Sequence, residues 1–497
     1  MKKGINRATV RRERENLLLS ALFVALVLVA NLIFYALSTH FGLYTAMVEP
    51  EYYTLSGVTD EYFNKVNPDG DDVTVYFCMT KEELQENFTY GRVYDTVMQF
   101  AERYDFFSVA HLDVYYDYDK IEAFGEMQRE VEASEELELT VGKATVIFVS
   151  EATGIASFRN LSSFYVFDSE NTEDDDMIFM GEELVAGCCS LVLKAERPRA
   201  YFTVGHGETL ANSMRNALFL AGYDIVIADL SAYEIEKDCA LIVISAPIYD
   251  FEEFADESVV SEISRLRDFV DGGGTLWVLR DPTAPSLQRL DALCAEYGLS
   301  AMPNTFLKDS SAALNTTGTT LLLKPAESTA SANLQSIIAG AAGAPLSVDA
   351  ATGRCSAISL TESDKATAEA LLTTYDSARL LTKDGELISE GEAYVTAAIA
   401  RTKENGGSLV LFGSGSFSDE ILMETDGYAN KDLLLALSQE TEGIVAPIGC
   451  GTVIINAEPL EHLTRGASVS YFLLLAALIP AAVFVTGAVV YLRRRHR

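Results

Sequence analysis

No two cysteines in this sequence have C-x-x-C spacing. Cys78, Cys188, Cys189, Cys239, Cys294, Cys355 and Cys450 are spread over a 497-residue chain, which excludes a disulfide-stapled scaffold. Cys188 and Cys189 are adjacent in a helix-like stretch, where a vicinal disulfide is strained. Most of the seven read as small buried apolar residues, with one loop disulfide left open. Histidine is scarce, at positions 40, 111, 206, 462 and 496. No H-x-x-x-H pair forms, so zinc has little support. A Walker A motif and an ABC-type ATPase signature are missing, so the chain is not expected to hydrolyse ATP itself, and no motif calls for a cofactor. Positive charge is short too: 37 Lys and Arg face 73 Asp and Glu, for a net charge of −36. That is the reverse of the basic stripe a nucleic-acid binder needs.

What is present is apolar. Hydrophobic residues make up 49% of the chain, too many for a disordered acidic protein, and the length suggests two to four domains. Two runs are uncharged: Leu17 to Leu37 (LLLSALFVALVLVANLIFYAL) and Tyr471 to Leu492 (YFLLLAALIPAAVFVTGAVVYL). Each is long enough for a hydrocarbon core of about 30 Å. Pro480 is tolerable within a membrane helix, and Tyr471 and Tyr491 lie where interfacial aromatics belong. Lys2, Lys3, Arg7, Arg11, Arg12 and Arg14 precede the first run, and Arg493, Arg494, Arg495 and Arg497 follow the second. The positive-inside rule puts both tails, 1–16 and 493–497, in the cytoplasm. Taking away those ten bases and the tail acids Glu13 and Glu15 leaves 27 bases against 71 acids. The expectation is a two-pass plasma-membrane protein in contact with lipid, with residues of about 40–470 extracytoplasmic. The competing readings are a cleaved signal peptide, whose apolar core is shorter than this run, and for 471–492 a buried core helix.

Within the outer segment, 50–180 alternates strand-like DVTVYFC (Asp72 to Cys78), helical Val93 to Tyr104, strand-like Phe107 to Tyr116, helical Tyr118 to Val131 and strand-like Thr145 to Val149. A hairpin follows between Ile155 and Phe167. This order implies a small α/β layer, thioredoxin-like but without a redox dithiol. The acidic loop Asn171 to Asp176 closes it, and Met180 to Leu193 reads as a helix. Residues 198–440 form a second α/β domain. Strands at Ala200 to Val204, Asp224 to Ala228, Ala240 to Ser245 and Thr275 to Leu279 alternate with helices at Thr209 to Ala221, Ser258 to Asp271 and Ser286 to Tyr297. Fully apolar strands between amphipathic helices imply a doubly wound, flavodoxin-like parallel sheet. Residues 311–400 read as an insertion, with strands at Thr319 to Leu323 and Ser356 to Leu360, a small-residue-rich helix plus loop over Thr329 to Ala342, and a helix at Ala393 to Thr402. Ser408 to Phe412 and the helix Asn430 to Ser438 complete the sheet, and 441–470 is a juxtamembrane linker.

The most distinctive stretch is Tyr201 to Glu208 (YFTVGHGE): a strand, a glycine-flanked turn, then a helix. Such a turn lies at the carboxyl edge of the sheet, where open α/β folds bind ligands. Gly205, His206, Gly207 and Glu208 are therefore candidate ligand or partner contacts. The plain structural reading is that the glycines permit the turn while His206 and Glu208 bond loops. Histidine stands where an elbow nucleophile would, with no Ser or Cys at the tip. Gly413 to Asp419 (GSGSFSD) also follows a strand, making Ser414 and Ser416 candidates. Its spacing is an incomplete G-x-G-x-x-G, and a plain turn is the competing reading. Asp69, Asp71, Asp72 and Asp174 to Asp176 lack the spaced ligands of an EF-hand loop and read as solvated.

These residues resemble the auxiliary component of ABC-type transport systems, the family that includes gliding-motility-associated accessory proteins. The resemblance rests on YFTVGHGE, on the strand ending Ser245-Ala246-Pro247 followed by RLRDFVDGGGTLWVLRDP (Arg265 to Pro282), and on the Ser408 to Phe417 turn with Asn430 opening a helix. The family usually has Asp where Ser414 stands. The resemblance implies a glutamine-amidotransferase-like second domain and a non-catalytic subunit. It would work beside an ABC-2-type permease and a separate cytoplasmic ABC ATPase, binding substrate or partner. Two rivals remain. One is a cell-envelope enzyme using His206 and Glu208 with a further polar group such as Asp281; the other is a membrane-anchored scaffold or sensor.

Overall fold

The computed structural model describes residues 54–128, 141–167, 177–254, 261–342, 349–425 and 427–455. A short helix, α1 (Val58–Val66), precedes β1 (Val73–Phe77), α2 (Lys81–Glu86), α3 (Phe88–Arg103), β2 (Phe107–His111), α4 (Tyr118–Glu126), β3 (Thr145–Ser150) and β4 (Ile155–Asn160). The sheet order is β2-β1-β3-β4. β1 runs parallel to β2, while β3 is antiparallel to both β1 and β4. Helix α3 starts where it does because the Asn87 side chain accepts from the N–H groups of Thr89 and Tyr90 at 3.0 and 3.1 Å. That satisfies two orphan donors of its first turn. Val93, Val97 and Phe100, at helical spacing, form its fully buried face.

Two short strands, β5 (Tyr165–Phe167) and β6 (Met177–Phe179), lead into α5 (Gly181–Leu193). Every residue of α5 from Gly181 to Val192 is buried. It packs on β3 and β4 on one side and on the first helix of the next layer on the other, which is why its sequence is apolar nearly all round.

The second layer begins β7 (Arg199–Thr203), α6 (Asn212–Ala221), β8 (Asp224–Ala228), β9 (Cys239–Ser245), α7 (Glu262–Asp271), β10 (Thr275–Leu279), α8 (Gln288–Glu296). An excursion follows: β11 (Leu299–Ala301), β12 (Thr305–Lys308), β13 (Leu321–Pro325), α9 (Thr329–Ala342), β14 (Ala350–Thr352), β15 (Ile358–Leu360), β16 (Ala366–Thr373), β17 (Arg379–Thr382), β18 (Leu387–Glu390) and β19 (Val395–Thr402). The chain then makes β20 (Ser408–Phe412), α10 (Glu420–Glu424), α11 (Asn430–Glu442) and β21 (Val453–Ile455). One nine-stranded sheet has the order β14-β13-β16-β19-β20-β10-β9-β7-β8. From β8 to β20 all pairings are parallel. Along the chain that is a 2-1-3-4-5 order, which reverses direction between β7 and β9. From β20 outward every pairing is antiparallel. Ile242, Ile244, Leu276, Val278, Leu266 and Val270 pack in the core between sheet and helices. Each such side chain contributes roughly 1.5–3 kcal/mol by leaving water.

Several expectations need correcting. The doubly wound plan ends at β20, and the 311–400 excursion continues the same sheet with antiparallel strands. Residues 393–402 are a strand, not a helix. Alanine-rich β19 is covered on both faces, with Thr396 to Ala400 all buried, so it lacks the alternation that marks a half-exposed strand. β16, only partly buried, was also missed, and β21 pairs with β6 where an irregular stretch was expected. All seven cysteines are free and buried, so the open loop disulfide is not formed.

The larger correction concerns the membrane. Among the described residues no helix is long and apolar enough to cross one. The longest, α3, has 16 residues, about 24 Å at 1.5 Å per residue, and carries Arg92, Asp95, Glu102 and Arg103. The expected two-span architecture and two-pass plasma-membrane location are thus overturned in favour of a mixed α/β fold with large sheets. The runs at 17–37 and 471–492, the basic tails and the acidic loop 171–176 lie outside the described residues.

Candidate functional site

The turn after β7 lies at the point where strand order reverses. Gly205 has φ +112° and Gly207 has φ +74°, conformations that only glycine adopts without strain. Gly207 is required twice over, because a Cβ there would fall 2.4 Å from Ile248 Cγ1. The two glycines turn His206 inward. Its backbone N–H donates to Glu208 Oε2 at 2.7 Å. Its carbonyl accepts from the N–H groups of Ile248 and Tyr249, both at 2.9 Å. The ring stacks on Phe251, with centroids 3.9 Å apart and planes inclined by 18°.

Both ring nitrogens face carboxylates. Nε2 is 3.1 Å from Glu262 Oε2, and Nδ1 is 3.4 Å from Glu208 Oε1. Glu262 lies in the first turn of α7, where the helix dipole favours an anion. Its Oε2 also accepts from the Glu252 N–H at 2.8 Å. Burial alone would push the imidazole pKa down, but the hydrogen bonds and charges of Glu208 and Glu262 outweigh it and raise His206 to about 9. Burial pushes Glu208 up, yet hydrogen bonds from the His206 ring and backbone hold it below the usual carboxylate range. At neutral pH the group is a buried imidazolium between two acids.

Two further bonds close the crevice between β7 and β9. The Thr209 N–H donates to the Ser245 carbonyl at 2.8 Å, and the two hydroxyls are 2.7 Å apart. This tie, with Ala211 in a left-handed conformation at φ +45°, delays α6 to Asn212 rather than Thr209. Just beyond Ser245, Ala246 has φ +50°, a strained conformation for a residue with a Cβ. A Cβ on Gly415 would lie 2.7 Å from that of Ala246 and 4.0 Å from Asp281 Cβ, so the 413–415 turn sits directly on Ala246.

Asp281 therefore lies beside the Gly415 turn, in which the Ser416 side chain lies against Gly353. Asp281 follows β10, two strands from β7, a separation of roughly 10 Å at normal strand spacing. Its Oδ1 accepts from the Thr283 N–H and hydroxyl at 2.7 and 2.8 Å. Buried Ser414 accepts from the Ser416 N–H at 3.2 Å and caps a short 3-10 turn. All three shape their own turns. Asn430 has a firm role: its side chain accepts from the Ala351 N–H and donates to the carbonyls of Ala351 and Phe417. That locks β14 to the turn after β20. Among the described residues no cluster of His, Cys, Asp and Glu could hold a metal ion.

Sequence reasoning missed Glu262, Phe251 and the Ile248-Tyr249 pair. The local signal that could have found the first is the N-cap Ser261 directly before Glu262. It also missed a second buried triad. Lys431 Nζ lies 2.6 Å from Glu183 Oε2 and 2.8 Å from Glu424 Oε2, joining α11 to α5 and α10. Burial pushes Glu183 up to about 7; Lys431 opposes that and Glu424 adds to it. Burial alone would lower the Lys431 pKa, but its two carboxylates raise it.

No protein-family description and no curated protein matches the chain. Solved structures give weak likenesses. An IFT52 N-terminal domain is 15% identical with a TM-score of 0.36, covering 49% of this chain and 96% of that one. A cytoplasmic protein, STM3548 from Salmonella typhimurium, is 10% identical with a TM-score of 0.31, covering 50% and 99%. PurLQS from Thermotoga maritima is 12% identical with a TM-score of 0.28, covering 50% and 100%. At these TM-scores none of the three carries an argument about fold or function.

Proposed function

We propose that this chain is a non-catalytic accessory subunit of an ABC-type transport complex, working beside an ABC-2-type permease and a cytoplasmic ABC ATPase. Its carboxyl sheet edge, around Gly205 to Glu208, is the surface that meets substrate or partner. The sequence resemblance supplies the transport context. The observation that carries the non-catalytic part is the closed switch-point crevice. Where an open α/β sheet would admit a small ligand, Thr209 and Ser245 are bonded across the gap, and His206 is held by Glu208, Glu262 and Phe251. Ala246, at the strained turn where a hydrolase of this layout places its nucleophile, has no reactive atom. The envelope-enzyme reading would need His206 to leave both carboxylates before it could exchange a proton with substrate.

Affinity purification of the tagged protein from its native cells in mild detergent, read by mass spectrometry, tests the assignment. Stoichiometric recovery of an ABC ATPase and a polytopic permease is expected. Recovery of intact chain without either would overturn it.

A further inference from the structure

The clamp that hides His206 also pushes apolar side chains outward. Because the Ile248 and Tyr249 N–H groups are fixed on the His206 carbonyl, and Gly207 lies against Ile248, the 246–249 loop is rigid at its base. Its side chains nonetheless stand in water: Ile248 is 43% and Tyr249 64% exposed, and Leu210, one residue beyond the Thr209–Ser245 tie, is 56% exposed. Large apolar groups held rigidly in solvent bind at low entropic cost. A patch of this kind on a folded surface marks a contact site.

The charge around it says what kind. The loops following β8, β10 and β20 carry Asp229, Asp281 and Asp419, while Glu252, after β9, is already paired with Arg289 at 2.9 Å. Their cations are few. Arg280 is buried and bonded to Asp291, and exposed Lys237 stands two residues before β9, at the opposite edge of the sheet. The edge is thus an apolar centre flanked by the carboxylates of Asp229, beside Gly205, and Asp281, beside Gly415.

We propose that this edge docks a basic amphipathic polypeptide segment, its aliphatic side chains on Leu210, Ile248 and Tyr249 and its lysines or arginines against the flanking carboxylates of Asp229 and Asp281. The proposal names the partner chemistry of the edge that the functional reading uses, and rests on that edge being a contact surface. It can fail while the transport assignment stands, since the purification above does not depend on which face is used.

The test is titration of the full chain with a fluorescent 16-residue amphipathic leucine–lysine peptide, and with the same peptide carrying glutamate for lysine. Binding of the lysine peptide is expected to weaken with salt and to fall at least about tenfold in Tyr249→Ala and Leu210→Ala, since truncating an anchor at a contact site typically removes that much. Tyr116→Ala, which trims a residue 92% exposed on the first layer, should change nothing, and the glutamate peptide should not bind. The proposal is overturned if the patch variants bind as tightly as the parent, because attraction to an acidic protein then explains the binding. It is equally overturned if the lysine peptide does not bind, or if sedimentation shows that the patch instead pairs two copies of the chain.

Discussion

The molecule contains two buried triads built on one scheme, a single cation between two carboxylates. In the sheet-edge triad the cation is His206, between Glu208 and Glu262; in the helix seam it is Lys431, between Glu183 and Glu424. Each carries one negative charge more than it can balance. They differ in which member yields. Histidine titrates close to neutrality, so at the sheet edge it is the cation that can be lost. Lysine keeps its proton, so in the seam the excess charge falls on an acid, and Glu183 rises to about 7. The same arrangement makes one joint that weakens as its base is neutralised and another in which burial and a second carboxylate raise an acid, Glu183, against the pull of its lysine.

The largest effect separating them should come from Lys431→Met. It leaves two buried carboxylates without a cation, and breaking a buried pair in this way costs about 3–5 kcal/mol, measurable by urea unfolding at pH 7. Adding Glu183→Gln should recover part of that loss, and an unchanged deficit in the double variant would contradict the shared-charge picture.

His206→Gln comes next. The folded pKa of His206 is raised from 6.5 to about 9. Its contribution is therefore fully present below about pH 6.5 and is lost as pH rises through about 9. That shift corresponds to an upper limit of about 3 kcal/mol. The variant should be clearly less stable than the parent at pH 6, and the gap should narrow at pH 9.5. A gap independent of pH would mean that the ring acts by packing on Phe251 alone.

Glu183→Gln alone sharpens the other side. An acid raised from 4.5 to about 7 gives stability that is present below 4.5 and lost as pH rises through 7. The variant should flatten the pH dependence of the unfolding midpoint between about 4.5 and 7 while leaving the higher window, which belongs to His206, intact. The smallest expected effect is Ala246→Gly, which relieves a left-handed φ and should stabilise the fold by about 1 kcal/mol, read from the shift of the same urea curve.

How much of this was legible in sequence follows from range. The YFTVGHGE turn and the parallel strands are local signals, and the structure has the strand, the turn and the helix in that order. The turn's purpose was not legible, since Glu262 and Phe251 lie 56 and 45 residues beyond His206 and nothing local pairs them. The seam triad was hidden more deeply. Glu183 and Lys431 are 248 residues apart, and in the sequence each reads as an ordinary polar residue near a helix start. β19 failed for another reason: five consecutive buried positions carry no period. The two apolar runs at the ends dominated the topological expectation, whereas the described helices offer nothing able to cross a membrane.

The proton on His206 tests the account most directly. The sequence has only five histidines, so their ring signals can be followed one by one by heteronuclear NMR as pH is raised, with His206→Gln supplying the assignment. The buried clamp predicts one imidazole that stays protonated through neutral pH and titrates near 9. A His206 that titrates at or below its ordinary value of about 6.5 would contradict it, and would return the ring to solvent as a group free to exchange protons.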